Sequence, residues 1–248
     1  MDPLDNVAWH ALTGPLAHLA ELRPAREPVA ARFQPDVSIF AALPDDPDPA
    51  SWEALAALLG RGGLAVLLPS APLDPPPGWA VEVVGDGVQM VGDDAPVAPV
   101  DAAGDGDPAA AGDEVVELVE LGPPDVPEML DLVGRTRPGP FAARTVEVGR
   151  YVGFRDRGRL VAMAGERLRI DGRIEVSGVC TDEDHRGRGL ARVLVNEVVA
   201  GIHAQGARPM LHAAADNEVA IRLYASMGFT VRRSLQIALV RFTGDGVR

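Results

Sequence analysis

Two glycines set between two arginines make the run in this chain best suited to holding a phosphate. Arg186-Gly187-Arg188-Gly189-Leu190-Ala191 follows an apolar stretch of strand character and leads straight into an amphipathic one. Glycines at 187 and 189 let backbone amides converge on an anion without side-chain obstruction. The first turn of a helix starting there adds unpaired amides and the positive end of its dipole. The flanking guanidiniums offer charge-assisted hydrogen bonds, so a diphosphate suits the run. Gly-x-Gly alone also describes an ordinary tight strand-to-helix turn. The arginines, the preceding strand and the following helix are what favour phosphate. A dinucleotide site of the doubly wound kind needs several strand-helix-strand units, and this part of the chain offers one.

The elements that must position the run lie on both sides of it. A strand at 173–181 enters it. A helix over 189–205 leaves it, with Leu190, Leu194, Val198 and Ile202 recurring every four residues as a core stripe and Gly206 as a left-handed cap. Before these, the pattern predicts a strand at 114–121 and a short helix over 125–133, with Asp125 as its cap and Pro127 in its first turn. Strands at 151–156 and 159–170 follow. The second of them joins 173–181 through Asp171-Gly172, a dipeptide that type I′ hairpin turns prefer. Downstream come a strand at 209–215, a helix over 218–227 stopped by Gly228, and closing strands over 229–242. An antiparallel meander followed by one strand-helix-strand crossover gives an α/β fold of the α+β kind: a mixed, mostly antiparallel sheet with flanking helices.

The N-terminal part has mixed α/β character and no chemical motif. A helix over 51–59 is closed by Gly60 and Gly62-Gly63, a buried strand follows at 64–68, and 79–91 reads as one or two strands around Gly85-Asp86-Gly87. Residues 8–21 suit a helix interrupted at Gly14-Pro15. Between 92 and 113 the sequence GDDAPVAPVDAAGDGDPAAAGD has no aromatic residue and no apolar period, and it reads as a flexible linker. The expected organisation is therefore an α/β half at 1–91, a linker at 92–113, and the chemistry-bearing domain at 114–248. Of the 36 acidic residues, 17 precede residue 113 and 19 lie from 113 onward, whereas the 23 basic residues, all arginine, divide as 4 and 19. The net charge of -13 thus comes from the N-terminal part. Its sign disfavours nucleic acid and anionic membrane as partners. Cys180 is the only cysteine, which excludes a disulfide framework and a thiolate zinc cluster, and the five histidines lack tight ligand spacing, so no metal is expected. No leader pattern or spanning apolar run is present, and a soluble cytoplasmic protein is the expectation.

The stretch 174–229 resembles the central motif of the GCN5-related N-acetyltransferase (GNAT) superfamily, whose signature after the fourth strand is Arg/Gln-x-x-Gly-x-Gly/Ala. Arg186 to Ala191 matches every fixed position. VSGVCTDEDHRGRGLARVL, with LHAAADNEVAIRLYASMGF behind it, is similar more particularly to the branch of glycine N-acyltransferases and FR47-like proteins. The resemblance extends over the chain from about 114 onward. It implies a sheet splayed between the fourth and fifth strands, with coenzyme A in the cleft. Its pantetheine would pair with the backbone of Val179, Cys180 and Thr181, and its pyrophosphate would rest on Arg186, Gly187, Arg188, Gly189, Leu190 and Ala191. Gly178 sits where a bulge would help to open the strand. Relatives with two such halves imply that 1–91 is a degenerate copy. It would hold no second coenzyme, since 64–68 leads into Pro-rich SAPLDPPPG in place of a glycine cradle.

The implied activity is direct transfer of an acyl group, acetyl foremost, from acetyl-CoA to the primary amine of a small molecule, peptide or protein, by a monomer or homodimer. A non-catalytic acyl-CoA sensor or scaffold, and transfer of longer acyl chains, are the other readings. Transfer needs a neutral amine, a stabilised oxyanion and a proton for the departing thiolate. In the family an Asn after the fifth strand and a Tyr seven residues later face the coenzyme. Asn217 and Tyr224 reproduce that spacing, which assigns Asn217 to coenzyme binding and Tyr224 to the proton. Asn217 also suits a plain helix N-cap, and Tyr224 a helix-face aromatic. Glu175 stands where relatives often carry a glutamate and is the candidate base, directly or through water, with a solvated strand glutamate as the plain alternative. Alternation puts Glu175, Ser177, Val179 and Thr181 on one face, opposite Ile174, Val176 and Cys180. Glu166 and His212 are runners-up for the base. Cys180 has no recognisable His and Asn/Asp partners for nucleophilic work.

Overall fold

A computed structural model describes residues 2–22, 29–69, 71–93, 95 and 116–244. In chain order the elements are α1 (Val7–Leu12), β1 (Ala20–Leu22), β2 (Ala31–Phe33), β3 (Ala41–Ala42), α2 (Pro49–Leu59), β4 (Leu64–Leu67), β5 (Trp79–Val91) and β6 (Val116–Leu121). There follow α3 (Val126–Thr136), β7 (Tyr151–Asp156), β8 (Arg159–Ile170), β9 (Arg173–Thr181), α4 (Leu190–Ala204), β10 (Arg208–Ala214), α5 (Glu218–Ala225) and β11 (Thr230–Phe242). Strands β1, β2 and β3 form a small sheet; the other eight form one sheet in the order β4-β11-β5-β10-β9-β8-β7-β6. Every neighbouring pair in the large sheet is antiparallel except β9 with β10, whose connection runs through α4. This is the mixed, mostly antiparallel sheet with flanking helices that the pattern predicts. The core stripe of α4 is buried as expected: Leu190, Leu194, Val198 and Ile202 pack with Ile174, Val176 and Tyr224 on one face of the sheet. On the other face, Leu12 of α1 and Met129 and Leu132 of α3 pack with Tyr151, Met163 and Leu168. Among the described residues no helix is long and apolar enough to cross a membrane.

Two strands of this sheet come from before residue 92 and six from after residue 113. β5 lies between β10 and β11, paired along its whole length with β11 and from Gly87 to Val91 with β10. The segment 92–113 therefore separates two stretches of sequence that share one sheet. Most of it lies outside the described residues; at its start, Asp93 pairs with Arg173 at 2.6 Å and Ala95 is buried.

Several local expectations change. Gly85-Asp86-Gly87 makes no turn, because 79–91 is one continuous strand. A register shift opposite Gly85 (φ 150°) bends that strand without reversing it. The closing strands expected over 229–242 are likewise one strand, Thr230–Phe242. The helix expected over 8–21 ends at Leu12, and the chain returns as β1. Asp125 caps the 3-10 turn Pro123–Asp125 by accepting the Gly122 amide at 2.9 Å, and α3 runs on to Thr136. Asp171-Gly172 has positive φ only at Gly172, so it is not a type I′ turn. That geometry occurs between β7 and β8, where Arg157 (φ 49°) and Gly158 (φ 85°) are both left-handed.

Candidate active site

β9 and β10 begin as neighbours and then part. Arg208, Pro209 and Met210 pair with Arg173, Ile174 and Glu175, and the pairing stops there. Beyond the fork, β9 continues to Thr181 on β8 alone, and β10 continues to Ala214 on β5 alone. The facing edges of both strands are left without a strand partner. A bulge accompanies the separation. Ser177 pairs with Gly165 and Cys180 with Met163, so Gly178 (φ 63°) and Val179 together oppose Ala164. The extra residue reverses the alternation. Val179 joins Ile174 and Val176 on the α4 face, while Cys180 packs on the face of α1 and α3. The expected grouping of Val179 with Glu175 and of Cys180 with Val176 is corrected by that one inserted residue.

The connector from β9 to α4 is fixed from below. Asp182 donates its amide to the Val161 carbonyl at 2.7 Å, and its carboxylate pairs with Arg135 and Arg159. His185 Nε2 lies 3.0 Å from Asp156 Oδ2, and this hydrogen bond holds the Asp156 carboxyl below its ordinary range. On this base the chain turns through Gly187 (φ 79°) and Gly189 (φ 74°) into the fifteen-residue helix α4. The Gly189 carbonyl accepts the amides of Arg192 and Val193. Among the described residues, the amides of Gly187, Gly189, Leu190 and Ala191 have no acceptor. A Cβ placed on either glycine would meet nothing within 4 Å, so the hollow over these amides is open. An open hollow lined by unpaired amides at the positive end of a long helix is fitted to a phosphate group. The exposed Arg186 donates its Nε to the Thr181 carbonyl at 3.4 Å.

Tyr224 packs with Leu190 and Leu194 of α4 and meets Phe229 edge-on at 6.0 Å between ring centroids. It is 8% exposed, and its hydroxyl has no hydrogen-bond partner among the described residues. Burial pushes its phenol up to about 12. Asn217 is exposed and caps α5, its Oδ1 accepting the Ala220 amide at 3.1 Å.

Glu175 is completely buried at the fork. Arg167 reaches it with two hydrogen bonds, at 2.9 and 2.6 Å, the Leu168 amide adds a third at 3.1 Å, and His212 Nδ1 a fourth at 2.8 Å. Burial alone would raise its carboxyl; the Arg167 charge and the hydrogen bonds from Arg167 and His212 more than reverse this and hold it far below the usual range. Arg167 in turn lies 4.7 Å from the centroid of the Phe40 ring. His212 Nε2 is 3.1 Å from Gln89 Nε2, which also donates to the Leu4 carbonyl at 2.8 Å, while Gln89 Oε1 accepts from Arg232 at 3.0 Å. Leu4 and Arg232 fix the amide's orientation, so His212 accepts at Nε2 and donates from Nδ1. A fully paired carboxylate has no free electron pair to take a proton from an amine, which removes Glu175 as the base. The solvated alternative fails on burial. His212 is engaged at both nitrogens, and buried Glu166 is held by Arg169 at 2.9 Å and Gln205 at 2.9 Å. Cys180 is buried, and burial raises its thiol. Sequence reasoning missed Arg167, Gln89 and Arg232. An arginine inside the apolar run 160–170 is the signal that could have revealed a buried counter-ion for Glu175.

Among the described residues, two cavities of about 230 Å³ each lie away from the cradle. One is walled by Trp52 with Asp45, Asp46 and Asp74 at its margin. The other lies between Pro69, Ala71 and Pro72 on one side and Asp86 with 233–236 on the other.

The family model of FR47-like protein matches residues 151–237. A GNAT-family protein from Novosphingobium aromaticivorans DSM 12444 is 39% identical over 98% of this chain and 99% of its own, with a TM-score of 0.82. At 20% identity, a GCN5-related N-acetyltransferase from Kribbella flavida shares the fold over 98% of this chain and 95% of its own, with a TM-score of 0.61. A GCN5-related N-acetyltransferase-like protein from Streptococcus suis 89/1591 shares it at 16% identity over 95% and 92%, with a TM-score of 0.58. None of the curated proteins compared with the chain matches it. The Novosphingobium likeness runs through β4 and β5 as well as the fork and the cradle, and on that full-length correspondence this chain belongs to the GNAT family of N-acetyltransferases.

Proposed function

We propose that the protein moves an acetyl group from acetyl-CoA directly to a primary amine, in the cleft where β9 and β10 part. The observation that carries this reading is the unpartnered edge of β9 leading, through the short connector at 182–185, into the open amides of the cradle. On this reading the pyrophosphate rests on the amides of Gly187, Gly189, Leu190 and Ala191, with Arg186 and Arg188 nearby. The pantetheine lies along the backbone of Val179 to Thr181, which brings the thioester towards the fork. The amine nitrogen bonds to the carbonyl carbon, the carbon–sulfur bond breaks, and the departing sulfur takes a proton from Tyr224. A phenol held near 12 stays protonated at any physiological pH, and its hydroxyl is not committed to another group. With Glu175, Glu166 and His212 all engaged, the amine enters neutral and gives its excess proton to water, and water returns a proton to the Tyr224 phenolate.

Calorimetric titration with acetyl-CoA, followed by free-thiol release against a panel of amines, tests the proposal. Saturable binding with amine-dependent release is expected. Absence of binding would remove the cradle assignment, and binding without release from any amine would favour a sensor over a transferase.

A further inference from the structure

The cavity walled by Trp52 is assembled from four places in the N-terminal part of the chain. β3 and the loop after it supply one wall, and the start of α2 supplies Trp52. The end of β4 and the segment after it supply another wall, and Asn6 enters from the turn before α1. None of the lining residues belongs to β9, β10 or the cradle. Asp48 holds the start of α2, its carboxylate accepting the Ser51 amide and the Ser51 hydroxyl, each at 2.8 Å. Leu43, Leu67, Leu68 and Leu73 make the walls largely apolar. At about 230 Å³, against roughly 30 Å³ for one water, the space has room for a small organic molecule.

Two buried polar groups on these walls lack partners. Asn6 is 5% exposed, and its Nδ2 donates to the Leu43 carbonyl and to Asp45 Oδ1, both at 2.9 Å. The carbonyl can only accept and so can the carboxylate, which fixes the amide orientation. Its Oδ1 is left with no donor among the described residues. Trp52 is 3% exposed and meets Trp79 edge-on at 5.1 Å between ring centroids, while its indole N–H has no acceptor among the described residues. Neither atom is sealed in the core: each keeps accessible surface, and the cavity is the open space that both side chains line. Buried amides and indoles are ordinarily satisfied, so an acceptor and a donor left open on one cavity point to an occupant that supplies their complements. A hydroxyl or an amide does so, donating to Asn6 and accepting from Trp52. Asp45, Asp46 and Asp74 stand at the margin; none of them is ion-paired, and no basic residue is among those lining the cavity. Asp46 and Asp74 are exposed. Three carboxylates without a counter-ion favour a cation at the mouth.

We infer that this cavity is a ligand site separate from the acyl-transfer cleft, and that its ligand is a small organic cation with a hydroxyl or amide at one end of an apolar body and an ammonium at the other. The hydroxyl or amide enters between Asn6 and Trp52, the body lies against the leucines, and the ammonium remains among the aspartates. The site does not depend on the transferase reading.

The test follows the Trp52 indole N–H resonance of the full chain, assigned by its loss in W52F, as probes are added in the presence of saturating coenzyme A, which permits no acyl transfer. Tyramine carries a phenol and an ammonium, and N-acetylputrescine an amide and an ammonium. Phenethylamine and hexylamine keep the charge without the second polar group, and 3-(4-hydroxyphenyl)propionate reverses the charge. Saturable movement of the resonance by tyramine, N-acetylputrescine or both is expected, with the three control probes weaker by about fivefold or more. Calorimetry with the same probes should show the preference for tyramine over phenethylamine, or for N-acetylputrescine over hexylamine, reduced in W52F. The D46N/D74N variant alters only exposed side chains, so it reports on the site even if W52F folds poorly. It should weaken the preferred cation by about fivefold or more, and added salt should weaken binding to the wild type in the same direction. No saturable movement with either preferred probe, equal binding of the controls, or unchanged affinity in D46N/D74N would overturn the inference. Displacement of the probe by coenzyme A would place it in the acyl-transfer cleft and overturn the separate site, leaving the transferase reading untouched.

Discussion

Replacing Glu175 with glutamine would leave the Arg167 guanidinium buried beside a neutral amide, and its importance is expected to appear there before it appears in chemistry. Breaking a buried pair by removing one partner costs about 3–5 kcal/mol, so E175Q should lower the urea midpoint strongly. The folded carboxyl is depressed, so its contribution is complete above the unfolded glutamate value of about 4.3 and fades as pH falls towards the lower folded value. The gap between wild type and E175Q in urea melts should therefore be widest at neutral pH and narrow below about pH 4. A gap that widened in acid would contradict the pairing. For Tyr224 the expected effect is kinetic. Y224F should lower kcat by about a hundredfold or more and leave acetyl-CoA affinity within about twofold, measured by steady-state kinetics beside calorimetry. Unchanged turnover would take the phenol out of the reaction. The spacing from Asn217 together with the resemblance of the run NEVAIRLYASMGF is what points to Tyr224. Glu175 is reached from its place on the strand alone, which does not reveal its pairing with Arg167, a residue whose type suggests solvent and whose side chain is largely buried.

In the cradle and the bulge the backbone carries the design. G189V should weaken acetyl-CoA binding by about tenfold or more with a small loss of thermal stability. A left-handed non-glycine residue costs on the order of 1–3 kcal/mol, and the new Cβ would stand in the hollow with no protein atom within 4 Å. Retained affinity in G189V would mean that the phosphate lies elsewhere. Both glycines could be read from the sequence because a strand and an amphipathic helix frame them. Gly85 and Gly87 look equally turn-like, yet Gly87 serves packing. A Cβ there would come within 3.2 Å of the Ala213 carbonyl and of Ile237, so the glycine lets β5 lie between β10 and β11. Nothing local distinguishes that use from a turn. Asp171-Gly172 likewise suits a type I′ turn, yet that geometry occurs at Arg157-Gly158, where the pair Asp156 and Arg159 closes a two-residue loop and an arginine accepts the left-handed conformation.

Across the whole molecule, the acidic N-terminal stretch and the arginine-rich remainder complete a single sheet. A fragment of residues 114–248 would lack β4 and β5, exposing the outer edge of β10 and both edges of β11, and is expected to aggregate or remain partly unfolded. Co-expression of 1–95 with 114–248 should restore a soluble, cooperatively melting complex, measured by gel filtration and circular dichroism. An independently folded 114–248 fragment would show that β5 is dispensable. Periodicity identified β4 and β5 as strands, but their partners lie far along the chain, and no local pattern encodes so distant a pairing. The wedged position of β5 also bears on how the molecule comes into being. A growing chain makes β5 first, then the whole of β6 to β9 with α3 and α4, and only afterwards β10 and β11, the two strands that hold it. Until β10 has been synthesised, β5 has neither neighbour, and until β11 has followed it has one. Formation of the acyl-transfer cleft therefore belongs to the end of synthesis, and any pause before Arg208 leaves a long strand with both edges open to the wrong partner.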